Sequence, residues 1–322
     1  MTYSRRQFSK LALGSIPLVS GLVSPTGLFA QTKPNSKIAG VQVGVMVPNS
    51  LRGVPNELAA YRDAMLKIGL SGCETHEGPW ETALGAPLPT GVGFGGGAGR
   101  AAPTPEQLAA QKAQADSLTK WRTSISMSRF AEARKIWTDA GIQPYAFKMP
   151  ITLDMSDAEA DYAFNVAKTL GVNHYTMEMD DDPRVTKRMG ELGLKHNMKV
   201  GYHAHGQATP TYWDLAMSQS PFNCINLDIG HYVGAGNADA IDFVKKNHAR
   251  IVSMHLKDRK LGGDNVPWGQ GDTPIIEALH LVRDQKWGFP VTIELEYPIP
   301  TGSTMPNEVA RCYDYIKKAL LS

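Results

Sequence analysis

Apolar and polar positions along this chain switch repeatedly between a strand-like and a helix-like period. Val41 to Val47 is a β-branched run, Val-Gln-Val-Gly-Val-Met-Val, that predicts a strand. From Glu57 to Ile68 the residues Leu58, Tyr61, Met65 and Ile68 recur on one helical face. A short strand follows around Gly72 to His76. Helices are expected near 105–122 and 127–140, then a strand from Gln143 to Met149. A helix at 156–170 opens on Ser156 with Glu159 three residues on, the pattern of a capping box. The strand His174 to Met179 leads into a helix at 183–197, where Pro183 suits the first turn. The alternation continues through a strand from Lys199 to Ala204, a helix near 210–218 and a strand from Cys224 to Asp228. A helix at 238–247, a strand from Ile251 to Leu256, a helix at 274–286, a strand from Val291 to Leu295 and a helix at 307–320 complete the series.

Strands alternating with helices, the strands rich in β-branched residues, predict a parallel sheet. Eight such units predict a single-domain (β/α)8 TIM barrel over residues 38–321, with an open doubly wound sheet as the alternative. The 322 residues suit one barrel with an insertion. That insertion follows the second strand. Residues 81–105 break the rhythm, and Gly91-Val92-Gly93-Phe94-Gly95-Gly96-Gly97-Ala98-Gly99 cannot pack a core. The stretch lacks the βα unit and acidic partner of a dinucleotide fingerprint, so a loop over the barrel mouth is expected.

The first 30 residues read as an export signal. Ser4-Arg5-Arg6-Gln7-Phe8 precedes an apolar run from Leu11 to Val23 that is short for a membrane span and is interrupted by Gly14, Pro17 and Gly21. The paired arginines resemble a twin-arginine signal, which predicts a periplasmic protein with no membrane attachment after cleavage. An uncleaved anchor is the alternative. The segment carries Arg5, Arg6 and Lys10 and no acid, so the formal net charge of +2 leaves 2 − 3 = −1 for the remainder. A near-neutral domain has no electrostatic footprint for nucleic acid. Cys73, Cys224 and Cys312 are too few and too widely spaced for a disulfide framework or a thiolate zinc site. Cys73 and Cys224 are expected as buried small hydrophobes.

Candidate chemistry gathers where the strands end. The fourth strand ends on Glu178, the fifth on His203-Ala204-His205, the sixth on Asp228 with His231 beyond it, the seventh on His255-Leu256-Lys257-Asp258, and the eighth on Glu294-Leu295-Glu296. A barrel brings these ends to one rim. A mixed carboxylate and imidazole set suits Mn2+, Zn2+, Co2+ or Fe2+. Asp228 follows apolar neighbours, and a buried unpaired carboxylate is costly, so a metal ligand is favoured there. His203 and His205 share one face, as do Glu294 and Glu296. Lys257 and Asp258 are expected to form an ion pair at the rim. Lys148 on the third strand and Glu74, His76 and Glu77 on the second are expected to line the same mouth, with solvated strand-end charges as the alternative.

In Val200-Gly201-Tyr202-His203-Ala204-His205-Gly206, Leu227-Asp228-Ile229-Gly230-His231, His255-Leu256-Lys257-Asp258, Gly269-Gln270-Gly271-Asp272 and Glu294-Leu295-Glu296, the chain resembles the xylose isomerase-like barrels. These include sugar and sugar-phosphate isomerases and epimerases, inosose dehydratases and an abasic-site endonuclease branch. The resemblance spans roughly residues 38–321. It implies that Asp228, His255 and Glu294 ligate a divalent metal. The family's fourth ligand is often a Glu at the end of the fifth strand, where this chain has His203; in members with a His-x-His strand the ligand comes from the preceding strand, a place that Glu178 fits. The resemblance implies proton abstraction next to a carbonyl through an enediolate, with Glu294 or His203 as base and His231 as a further acid-base candidate. His205, Lys257, Glu296 and Lys148 would then contact a small saccharide. The implied enzyme is an isomerase or epimerase. A lyase or dehydratase acting on keto-sugars, keto-glycosides or inososes is the second reading, and a non-catalytic carbohydrate-binding barrel the third.

Overall fold

Eight parallel strands hydrogen-bond to one another in chain order in the computed structural model: β1 Val41–Val47, β2 Gly72–His76, β3 Gln143–Lys148, β4 His174–Glu178, β5 Lys199–His203, β6 Asn223–Asp228, β7 Ile251–Leu256 and β8 Val291–Ile293. The sheet closes because β8 also pairs with β1, Val43 opposite Val291 and Val45 opposite Ile293. A closed parallel barrel of alternating strands and helices is the fold expected from the alternation, and the open sheet is excluded. The structure describes residues 33–88 and 104–322. The export segment read at 1–30 and the glycine-rich stretch 91–99 lie outside the described residues. Pro34–Ser322 make up one compact unit. A two-residue strand, Lys37–Ile38, pairs antiparallel with the start of β1.

The helices are α1 Leu58–Ile68, α2 Glu77–Ala83, α3 Pro105–Ser124, α4 Met127–Thr138, α5 Asp157–Leu170, α6 Pro183–His196, α7 Asp214–Gln219, α8 Ile229–Gly234, α9 Ala240–Asn247, α10 Ile275–Asp284 and α11 Met305–Leu321. None of the described helices is long and apolar enough to cross a membrane. Two of them, α2 and α8, were not expected. Each is six or seven residues long, too short to show a helical period. The helix expected near 210–218 starts only at Asp214, and β8 stops at Ile293 rather than Leu295.

Helix starts follow the local chemistry. Ser156 accepts the Glu159 N–H at 3.2 Å and caps α5. The Glu159 carboxylate does not return to the cap, as a full box would have it. It accepts from Arg122 of α3 at 3.0 Å, and Arg122 also donates to Glu81 of α2 at 2.8 Å. This buried guanidinium pins three elements beside the insertion. Removing either partner would leave an uncompensated buried charge.

The barrel interior is unusually polar for a site commonly filled by branched apolar side chains. Tyr145, His174, Thr176, Asn226, Ser253 and Thr292 are all buried, with Glu74 among them. Gly44 makes room for the Tyr145 ring, since a Cβ there would stand 2.4 Å from its hydroxyl. All three cysteines are free and buried, as expected for Cys73 and Cys224.

Candidate metal centre

His203 at the end of β5, Asp228 at the end of β6, His255 in β7 and Glu294 just after β8 converge at the C-terminal end of the barrel. All four are buried, and one ligand atom from each lies within 4.8 Å of the others. Opposed ligands of a transition metal stand about 4 Å apart, so the spacing is close to that of a coordination site. His203 is 1% exposed, yet neither ring nitrogen has a hydrogen-bond partner among the described residues. Such a group is costly to bury unless something binds it. Burial holds its pKa well below the usual imidazole value, so the ring is neutral, as a metal ligand must be. Asp228 spends one oxygen on capping α8, accepting the His231 N–H at 2.7 Å. Its other oxygen, Oδ2, has no hydrogen bond among the described residues, only the Lys257 ammonium 3.0 Å away. The donor set of two imidazoles and two carboxylates therefore fits a divalent transition metal.

His255 is held from both sides. Its Nε2 lies 2.7 Å from Glu74 Oε2, and its Nδ1 lies 2.7 Å from Glu294 Oε2. A carboxylate behind one ring nitrogen, with the other nitrogen facing the centre, is the arrangement that orients metal-bound histidines. Burial opposes charge on this ring, but the Glu74 and Glu294 carboxylates overcome it and raise its pKa to about 10. Burial likewise pushes the Glu74 carboxyl up, and His255 and Lys148 pull it down to about 2. Glu74 was expected at the barrel mouth, with a solvated strand-end charge as the alternative. It is instead fully buried, because it points into the barrel and also accepts from Thr176 at 2.6 Å.

Lys257 sits beside the quartet, 1% exposed. Its ammonium lies 2.7 Å from Glu296, 3.0 Å from Asp228 and 3.4 Å from Glu294. Burial disfavours the charge, but these carboxylates raise its pKa above the usual lysine value. The expected pairing with Asp258 does not form. Asp258 instead accepts backbone N–H groups of Gly269 and Gly271, each at 2.8 Å. That is the use of the Gly269-Gln270-Gly271 segment, since a Cβ on Gly271 would come within 2.0 Å of the Asp258 carboxylate.

His231 lies between Lys257 Nζ, 2.8 Å from its Nε2, and Arg259 Nη1, 2.8 Å from its Nδ1. Burial and then the Lys257 charge lower its pKa to about 2, so it is neutral. Glu178 stands at the rim, half exposed, 2.5 Å from Lys148 Nζ and 3.6 Å from His205 Nε2. His205 is exposed, with its ring 4.8 Å from that of His203 and 4.6 Å from that of His231. The quartet that converges thus contains His203, while Glu178 belongs to a separate rim group with Lys148 and His205. One further residue went unnoticed in the sequence as part of this site: Arg259, which follows directly on the His255-to-Asp258 run.

No protein-family model matches the chain, and no curated protein matches it. Solved structures do. A sugar phosphate isomerase/epimerase from Parabacteroides distasonis is 16% identical, with 91% of this chain and 99% of that one covered, at a TM-score of 0.57. A probable 3-DHS dehydratase from Bacillus anthracis, involved in petrobactin synthesis, is 14% identical over 88% of this chain and 99% of that one, TM-score 0.56. A xylose isomerase-like TIM barrel protein from Mycobacterium smegmatis, in complex with magnesium, is 11% identical over 87% and 96%, TM-score 0.53. The chain has the fold of the xylose isomerase-like barrels, in agreement with the resemblance carried by its strand-end motifs.

Proposed function

We propose that this protein is a metal-dependent enzyme that moves a proton on the carbon beside a carbonyl of a small saccharide, giving isomerisation or epimerisation. The observation that carries the reading is the buried quartet His203, Asp228, His255 and Glu294, with the His203 ring and Asp228 Oδ2 left without hydrogen bonds. These four residues would hold a divalent ion such as Mn2+, Zn2+, Co2+ or Fe2+. What such an ion supplies when bound is Lewis acidity toward a substrate oxygen.

The chain's own residues account for the rest. Glu294 is the base. Burial works against its ionisation, but Lys257 and His255 keep its carboxyl well below the usual range, so it stands ionised, the form a base needs. The Lys257 ammonium, fixed by Glu296 and His231, stabilises negative charge that develops on the substrate oxygen as the enediolate forms. His231 is held neutral and orients that ammonium. At the rim, Lys148, Glu178, His205 and Glu296 present donors and acceptors suited to sugar hydroxyls.

A second reading is elimination. The residue facing Glu294 from β5 is an imidazole rather than a second glutamate, so no carboxylate pair straddles the carbon for two-sided proton exchange. Lys257 could instead protonate a leaving hydroxyl or glycosidic oxygen, which gives a lyase acting on keto-sugars, keto-glycosides or inososes. Export by the twin-arginine route is part of the same proposal. With Arg5→Lys and Arg6→Lys the precursor should stay in the cell.

The deciding experiment incubates metal-loaded protein with aldoses, ketoses and 3-keto-sugars in D2O and follows them by NMR. Deuterium entering the carbon beside the carbonyl supports the proposal, and loss of a hydroxyl or an aglycone selects the lyase. Purified protein that takes up no stoichiometric metal would overturn both and leave a carbohydrate-binding barrel.

A further inference from the structure

At the opposite end of the barrel, around the N-terminal ends of β4, β5, β7 and β8, lies a cavity of about 560 Å³. That is within the range of small-molecule sites. Its ionisable lining is entirely basic: His174, Lys199, His248 and Lys286, with no carboxylate among the lining residues. Neither Lys199 nor Lys286 makes an ion pair among the described residues. Lys286 has φ of +54°, a left-handed conformation that side chains other than Gly or Asn rarely adopt. One wall is aromatic, where the Trp287 ring stacks on His248 at 4.7 Å and 9° and lies 6.0 Å from Phe289.

The informative residue is His174, which lines the cavity and is only 2% exposed. Its tautomer follows from the polar column above it. Asn226 Nδ2 points at the acceptor-only carboxylate of Glu74, at 3.4 Å, so Asn226 Oδ1 faces Ser253. The Ser253 hydroxyl therefore donates to Asn226 Oδ1 at 3.1 Å, and its oxygen accepts from His174 Nε2–H at 3.0 Å. His174 is left with a lone pair on Nδ1, which has no partner among the described residues. Burial, which lowers its pKa to about 4, keeps the ring in that neutral form. This acceptor lines the same cavity as the Lys199 and Lys286 side chains, a combination suited to a ligand that carries both a negative charge and a hydroxyl hydrogen.

We propose that this cavity is a second ligand site, distinct from the metal centre, for a small polyhydroxylated anion such as a sugar acid or a sugar phosphate. Lys199 and Lys286 take the oxyanion, His174 Nδ1 accepts a hydroxyl hydrogen, and the carbon frame lies against Trp287. The inference does not depend on the reaction at the mouth.

Calorimetric titration of the metal-loaded full chain at low salt tests it, with gluconate, glucose 6-phosphate, glucose and inorganic phosphate as probes. At least one of the two hydroxylated anions should bind with Kd on the order of 1 mM, and glucose and inorganic phosphate about tenfold more weakly or not at all. Preference between gluconate and glucose 6-phosphate identifies the carboxylate or the phosphate as the natural group. Lys199→Ala combined with Lys286→Ala should weaken binding at least about tenfold, the equivalent of one charge-assisted hydrogen bond. Both lysines are exposed, so the double variant keeps the barrel. Asp228→Asn, at the other end, should leave this binding unchanged. The proposal is overturned if no hydroxylated anion binds, if glucose or inorganic phosphate binds as tightly, if binding survives the double lysine variant, or if it disappears with Asp228→Asn.

Discussion

Glu74 stands behind His255, its Oε2 2.7 Å from Nε2, and both side chains are fully buried in the barrel. The contact fixes the ring so that Nδ1 faces Glu294 and the open side of the quartet. Glu74 makes no hydrogen bond to His203, Asp228 or Glu294, so its effect on a metal would be exerted through His255. Glu74→Gln keeps the shape but removes the charge. Loss of a partner of this kind typically weakens metal affinity about 10–100-fold. A competition titration with a chelator should show that drop while the circular dichroism stays that of the wild type; unchanged affinity would make the contact purely structural.

Asp228 and Lys257 lie 3.0 Å apart at the same centre, and their replacement separates holding a metal from using it. Asp228→Asn should abolish stoichiometric binding in a folded barrel. Lys257→Met removes a cation beside two ligand carboxylates, so metal should bind at least as tightly as before. Turnover should nevertheless fall by roughly 10²–10³, the usual effect of deleting one donor that stabilises a developing oxyanion. Metal lost in Lys257→Met, or turnover retained, would remove Lys257 from the proposed chemistry.

Asp228, His255 and Glu294 could be found in the sequence because each breaks an apolar strand with a charged or imidazole group just where the strand gives way to a loop. Glu74 follows the same rule in a strand of only five residues, Gly72–His76, which has too few apolar positions to show which side faces inward. Its burial depends on the tilt of the closed barrel and on Thr176 and Asn226 from strands far along the chain. Asp258 was misread for a related reason. Adjacent opposite charges suggest an ion pair, but consecutive residues leaving a strand point apart, and the partners of Asp258 are backbone groups of Gly269 and Gly271. The choice between His203 and Glu178 rests on which of two neighbouring strand ends turns inward. Register does not separate them, because Glu178 stands opposite His203 and paired residues share a face; Glu178 is instead drawn to Lys148 at the rim, a contact between strands that the sequence does not display.

Glu77, the first residue of α2, offers a test by pH away from the quartet. Its Oε2 is buried without a hydrogen-bond partner among the described residues. Burial, and then the charge of Glu81, raise its carboxyl to about 7 from an ordinary value of 4.5. A carboxyl whose pKa is raised by folding stabilises the native state fully below its unfolded pKa, and that stability is lost as pH rises through the folded value. The wild type should therefore lose on the order of 1–3 kcal/mol between about pH 4.5 and pH 7 through this group. Glu77→Gln stays neutral throughout. Thermal unfolding should show the variant more stable than the wild type at pH 8 and the gap closing at pH 4; a gap that does not change with pH would mean that Glu77 is solvated.

His203 is the residue whose replacement discriminates most sharply between ways of working the site. Its ring is buried, neutral and without hydrogen bonds among the described residues, and it belongs to the quartet. As a ligand, it should cost the protein its metal when changed to Gln, and turnover should fall with the metal. As a general base it should leave metal in place while turnover drops about 10²–10⁴-fold. The unpaired nitrogens favour the ligand, because a base waiting for substrate in a hydrated mouth would be reached by solvent, whereas His203 is 1% exposed. The expected result is therefore joint loss of metal and activity in His203→Gln. Glu178→Gln, by contrast, should keep the metal, since Glu178 is tied to Lys148 at the rim. Metal retained in the first variant and lost in the second would transfer the fourth ligand position to β4. Solvent deuterium separates the chemistry from the binding: wild-type enzyme turning over in D2O should label the carbon next to the carbonyl. Turnover with no label there would mean that hydrogen moves without exchanging, as in a hydride shift, and Glu294 would then be a ligand without a role as base.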